Sequence, residues 1–133
     1  MLRTYARWGF VGATWLFVAC AVVQVFLAGL AVFSIPSGDF AAHRGWGYTF
    51  GYLVLIILVL ALLGRMPRRL VGLSVLLLVL FFLQSVFVAL RTDYPSVAAL
   101  HPVNGFLIIL VALIMGRDGW RLVQAERAAP PPA

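Results

Sequence analysis

Four apolar runs separated by three short breaks fill nearly all of this 133-residue chain. A helix rises about 1.5 Å per residue, so about 20 apolar residues cross a hydrocarbon core of about 30 Å. The runs cover roughly residues 9–33, 39–63, 70–90 and 96–116, each close to or above that length. Within lipid every backbone N–H and C=O must be satisfied inside the segment, so such a run is a helix. The breaks are Ser34–Asp39, Gly64–Arg69 and Arg91–Ser96, each carrying a proline that stops a helix. The expected fold class is therefore all-α, an integral membrane four-helix bundle.

Composition agrees. Hydrophobic residues make up 64% of the chain, charged residues 11%, and mean hydropathy is +1.06. A soluble domain this small has too little interior to hide that surface. The net charge of +6 is ten basic residues, all arginine, less four acidic ones. In a membrane protein such arginines set orientation, so no nucleic-acid partner is expected. Met1–Arg7 is basic and precedes the first run, as in a signal peptide. That run is too long for one and no small-residue cleavage site follows, so it reads as a retained span. Cys20 is the sole cysteine, which excludes an internal disulfide and a cysteine metal cluster and leaves a small packing residue.

Eight arginines (Arg3, Arg7, Arg65, Arg68, Arg69, Arg117, Arg121 and Arg127) lie at the termini or in the middle turn. Only Arg44 and Arg91 lie at the opposite ends of the runs. Arginine bias then places both termini in the cytoplasm, with the chain a multi-pass protein of a bacterial inner membrane. Ser37 or Asp39 is the expected cap of the second helix, and Ser96 that of the fourth. Arg117–Arg127 reads as a short amphipathic or interfacial extension anchored by Trp120. The Pro-rich tail, residues 128–133, is expected to be disordered.

Two matching pentapeptides carry the chemistry, His43-Arg-Gly-Trp-Gly47 and His101-Pro-Val-Asn-Gly105. They hold the only two histidines, each four residues before a glycine and thus on one helix face with it. A fourth helix starting at His101 would have 16 residues before Arg117, or about 24 Å, too short to span. Starting it near Ser96 puts His101 more than a turn inside, with Pro102 costing a backbone bond in the second turn. By the same reasoning His43 lies one turn into the second helix. Gln24 and Gln84 are the only glutamines within the runs, each late in the first helix of its half. The chain thus reads as a tandem repeat of two helical hairpins, with both histidines near the outer face.

Two imidazoles flanked by glycine gaps suit a flat macrocycle. Neutral imidazole is a strong axial donor, and two give a six-coordinate haem b centre suited to electron transfer. His43 and His101 are the expected iron ligands. Gly47, Gly51 and Gly105 would line the groove, Arg44 would pair with a propionate, and Asn104 would orient a ligand or bond between helices. The alternatives are histidines wetted by headgroups, glycines for close helix contact, and a snorkelling Arg44. Another tetrapyrrole remains open too, since histidine also ligates chlorophyll magnesium. Zinc needs about four ligands, which two histidines do not supply. Gln24 and Gln84 read as interhelical polar contacts, and Trp8, Trp46 and Trp120 as interfacial belt residues. No Asp, Glu or Lys lies deep in a span, against a proton-coupled transporter.

Asp39-Phe-Ala-Ala-His43-Arg44 before an apolar helix resembles the haem-binding helix of haem A synthase, which has an acid just before a His-Arg pair. Ala99-Leu-His101 resembles its partner haem-ligand helix. The chain has the length of one four-helix half of that family. It also resembles an uncharacterised family of small four-helix bacterial membrane proteins with two matching histidines. The resemblance implies that His43 and His101 are axial ligands of one haem. It assigns no catalytic residue, because Asp39 stands four residues before His43 where the synthases have glutamate three before, and one half lacks the second haem site.

The leading expectation is a haem b protein for electron transfer, or a small haem subunit of a respiratory or photosynthetic complex, with quinone a candidate electron partner. Its rivals are a non-haem structural membrane subunit and a synthase-like enzyme working as a homodimer.

Overall fold

A computed structural model describes residues 1–34 and 38–128. Ser37 as a cap, and residues 129–133 of the expected tail, lie outside the described residues. Five helices follow in order: α1 (Leu2–Phe33), α2 (Ala41–Leu63), α3 (Arg68–Ala89), α4 (Pro95–Ala98) and α5 (Leu100–Ala128). The four long ones are each long and apolar enough to cross a membrane. They form a bundle in which α1 touches α2 and α5, and α3 touches α2 and α5. Thus α1 stands diagonally from α3, and α2 from α5.

Local chemistry sets the helix ends. The Asp39 carboxylate accepts the Ala41 amide at 2.7 Å, but Phe40 and not Asp39 stands at the cap position of α2, where no side chain caps the helix. At its far end Arg65 takes a left-handed φ of 46°, and the Met66 amide bonds the Ala61 carbonyl at 2.9 Å. That is the bonding of a Schellman cap, built on arginine instead of glycine. Pro67 then stands at the cap of α3. Ser96 does not cap α4. Pro95 occupies the first helical position, where its missing N–H costs nothing, and Tyr94 stands at the cap.

Pro102 alters the expected depth of His101. A proline clashes with the carbonyl four residues earlier, here Ala98, and α4 ends at that residue. The helix restarts at Leu100, so His101 and Pro102 lie in the first turn of α5, where an N–H is not needed. His43 likewise lies in the first turn of α2 instead of one turn in.

At the other end, helices outrun the apolar segments. α1 has 32 residues and α5 has 29, or about 48 and 44 Å, well beyond a hydrocarbon core of about 30 Å. The Arg117–Arg127 segment is not a separate interfacial piece. It continues α5 along the first turns of α1, with Trp120 stacked edge-on against Trp8 (5.7 Å between centroids) and Val123 buried. Arg127 covers the Trp8 ring at 4.6 Å.

The repeat extends to the packing. In α1 the buried Phe10, Thr14 and Phe17 match the buried Leu70, Ser74 and Leu77 of α3, all sixty positions on. In α2 the buried Phe50, Val54 and Ile57 match Ile108, Ala112 and Met115 of α5, fifty-eight positions on. Thr14 and Ser74 donate to the carbonyls of Phe10 and Leu70, so neither buried hydroxyl lacks a partner. The outer surface instead exposes Val22, Phe26, Leu55, Val59, Phe82 and Leu110. An apolar surface this continuous is stable against lipid and not against water. The chain is a multi-pass membrane protein with a four-helix bundle fold.

Candidate functional site

The first turns of α2 and α5 bring the two histidines together. Their ring centroids are 6.2 Å apart with an interplanar angle of 61°. Each ring is fixed from the preceding helix of its own half. His43 Nδ1 lies 3.0 Å from the Gln24 carbonyl oxygen, and His101 Nδ1 lies 3.2 Å from that of Gln84. A carbonyl only accepts, so in both rings Nδ1 carries the proton and Nε2 of the neutral ring keeps its lone pair. Metal-ligating histidines are usually held this way.

The halves differ at the other nitrogen. The Gln24 amide donates to His43 Nε2 at 3.1 Å, while the buried Gln24 Oε1 has no partner among the described residues. Gln84 Oε1 instead accepts from Asn104 Nδ2 at 2.7 Å. Asn104 also donates to the Leu80 carbonyl at 2.8 Å. It is buried, does not line the cavity beside the histidines, and ties α5 to α3. Replacing Asn104 with Leu should cost about 1 kcal/mol in a detergent unfolding equilibrium, as for other polar contacts between membrane helices.

The rings face a cavity of about 400 Å³ lined from α1, α2, α3 and α5. Phe50 and Phe81 form its floor, 5.7 Å apart, with Phe17 packed behind at 5.3 and 6.1 Å. Sequence reading missed this aromatic floor, although the repeat offset relates Phe17 to the core residue Leu77.

The glycines do not all border open space. A Cβ on Gly47 would come within 2.9 Å of Gln24 Nε2, and one on Gly51 within 2.7 Å of the Phe81 ring. Gly51 does not line the cavity. It allows the Phe81 ring of α3 to pack against α2, which is the close-contact use of a small residue. Gly105 has only Gln84 Nε2 nearby, at an ordinary 3.5 Å. Gly47 and Gly105 therefore hold equivalent places, each under the glutamine of its half. Arg44 is exposed at the cavity, with no side-chain bond among the described residues. Trp46 is more than a belt residue: its Nε1 donates to the Cys20 carbonyl at 2.9 Å and ties α2 to α1.

No three His, Cys, Asp or Glu side chains gather into a metal site among the described residues. The donor set is two imidazoles, enough for the axial positions of a macrocycle that supplies four nitrogens itself.

The opposite end holds a feature the sequence reading missed. Arg7 is buried at 4% exposure. Its Nε donates to the Gly64 carbonyl at 2.8 Å and its Nη2 to that of Arg65 at 3.0 Å, while Nη1 pairs with Glu126. Asp118 bridges Arg69 and Arg117 nearby. These contacts put the start of α1, the α2–α3 turn and the end of α5 together, far along the bundle from the histidines.

No curated protein and no solved structure matches the chain. A family model does match, over residues 24–91. The stretch begins at the first of the paired glutamines and includes His43 and Gln84. With just over half its length matched, the chain belongs to a family described as being of unknown function (DUF6220).

Proposed function

We propose that the chain is a membrane haem b protein holding one haem between His43 and His101 near the outer face. The observation that carries this is the matched pair of Nδ1 bonds to the Gln24 and Gln84 carbonyls, which fixes the same tautomer in both rings. The two ring centroids stand 6.2 Å apart, which is also an ordinary aromatic contact, so it is the shared tautomer that favours ligation.

Held by His43 and His101, a haem would supply a one-electron couple. The chain's own residues do the rest. The two backbone carbonyls hold the rings, and the Phe50–Phe81 floor keeps water from the inner side. The cavity lies within the usual range for small-molecule sites, about 300–1,000 Å³. Gln24 has to release His43 Nε2 for the ligand to bind. Its Oε1 is already unpartnered, which lowers the cost of that rotation.

The electron partner is a quinone or a redox subunit of a larger respiratory or photosynthetic complex. Arginines crowd the end opposite the histidines, so that end faces the cytoplasm of a bacterial inner membrane.

One observation favours a second reading, a structural subunit without haem: the Gln24 amide already satisfies His43 Nε2. Titrating haemin into detergent-solubilised protein from haem-starved cells separates the two. Haem binding requires saturation near one haemin per chain with a low-spin spectrum. Absence of saturable binding overturns it and leaves the structural reading.

A further inference from the structure

The repeat offset pairs the cavity-lining residues, and the pairs are not chemically equal. His43 and Gly47 match His101 and Gly105 at an offset of fifty-eight, and Gln24 matches Gln84 at sixty. Around this matched frame the exposed lining residues differ. On the α2–α3 side stand Arg44, Tyr48 and Ser85, with Val88 the one apolar exposed residue beside them. Their repeat partners on the α5–α1 side are Pro102, Phe106 and Val25. One flank offers a cation and two hydroxyls, and the other offers three apolar groups. Substitution in all three pairs runs in the same chemical direction.

A symmetric frame with one polar and one apolar flank orients a ligand of the same character. We propose that the cavity holds its ligand in a single orientation, with an anionic carboxylate edge at Arg44, Tyr48 and Ser85 and an apolar edge at Pro102, Phe106 and Val25. This rests on the reading that the cavity binds a tetrapyrrole, and adds which edge faces which flank. Arg44 supplies a charged, forked donor suited to carboxylate, and Tyr48 and Ser85 supply hydroxyl donors. At the apolar flank the same carboxylates would lose their hydration with no donor in return.

Equilibrium titration of purified protein in neutral detergent with haemin and with haemin dimethyl ester tests this. The ester keeps the ring and the iron but has no carboxylate. The expected result is tighter binding of haemin, by roughly tenfold or more. In the triple variant R44M/Y48F/S85A the preference should fall to near parity, chiefly through loss of haemin affinity. The apolar-flank variant F106A/V25A should keep the preference, and unchanged far-UV circular dichroism confirms folding of both. Equal binding of haemin and ester by the wild type overturns the orientation while leaving the haem site intact. A preference that persists in the triple variant also overturns it. Binding of neither ligand removes the haem reading and this inference together.

Discussion

Replacing His43 or His101 with alanine is expected to lower the haem retained per polypeptide by roughly tenfold or more, since each supplies one of two axial bonds. The double variant should retain none. The neighbouring glutamines should behave differently. The group that holds each ring is a backbone carbonyl, which no side-chain substitution removes. Gln24→Leu therefore keeps the Nδ1 bond of His43 and takes away the amide that competes at Nε2. Its haem affinity should equal or exceed that of the wild type. Haem per chain measured on purified variants checks both expectations. If Gln24→Leu lost haem as completely as His43→Ala, the Gln24 side chain and not its backbone carbonyl would be what prepares His43. In a structural subunit, by contrast, the histidine variants would cost only the stability of a hydrogen bond or two.

The second large effect lies at the far end of the bundle and concerns stability. Arg7→Met keeps a similar length of apolar stem but abandons two carbonyls at the end of α2 and the Glu126 carboxylate. The expected loss is about 2–4 kcal/mol, as for truncation of one partner in a buried charged network. Glu126→Gln should cost under about 1 kcal/mol, because that side chain is 43% exposed and its pairing is screened by water. Detergent unfolding equilibria of the two variants check the contrast. Equal losses would mean that the ion pair, and not the capping of α2, fastens this end. Haem binding at the histidine end should survive both substitutions.

The spans were legible because hydrocarbon thickness acts on length and hydropathy alone. Helix ends were less legible, because the edge of the apolar segment is not the edge of the helix. Arg3 and Arg7 look like flanking charges, yet α1 begins at Leu2 and Arg7 is buried. Arg117 and Asp118 end the apolar run, yet α5 continues to Ala128 on contacts with Trp8 and Arg7. Those contacts join residues more than a hundred positions apart and leave no periodic trace.

At the site, the paired histidines and glutamines could be read because the repeat writes them twice. The roles of the glycines could not. Gly47 and Gly51 have one spacing in sequence, but one faces a glutamine amide at the cavity and the other faces a phenylalanine ring. Which neighbour a glycine meets depends on how α1 and α3 rotate against α2. The aromatic floor was hidden for the same reason, since Phe50 comes from α2 and Phe81 from α3.

The most direct measurement is a reduced-minus-oxidised absorption spectrum of the wild-type protein purified from haem-replete membranes, alongside the H43A/H101A double variant. The expected wild-type spectrum has a sharp α band and a shifted Soret band of a six-coordinate haem b, near one haem per chain, with both bands gone from the variant. A wild-type protein without haem bands, or bands that persist in the variant, would contradict a haem held between His43 and His101.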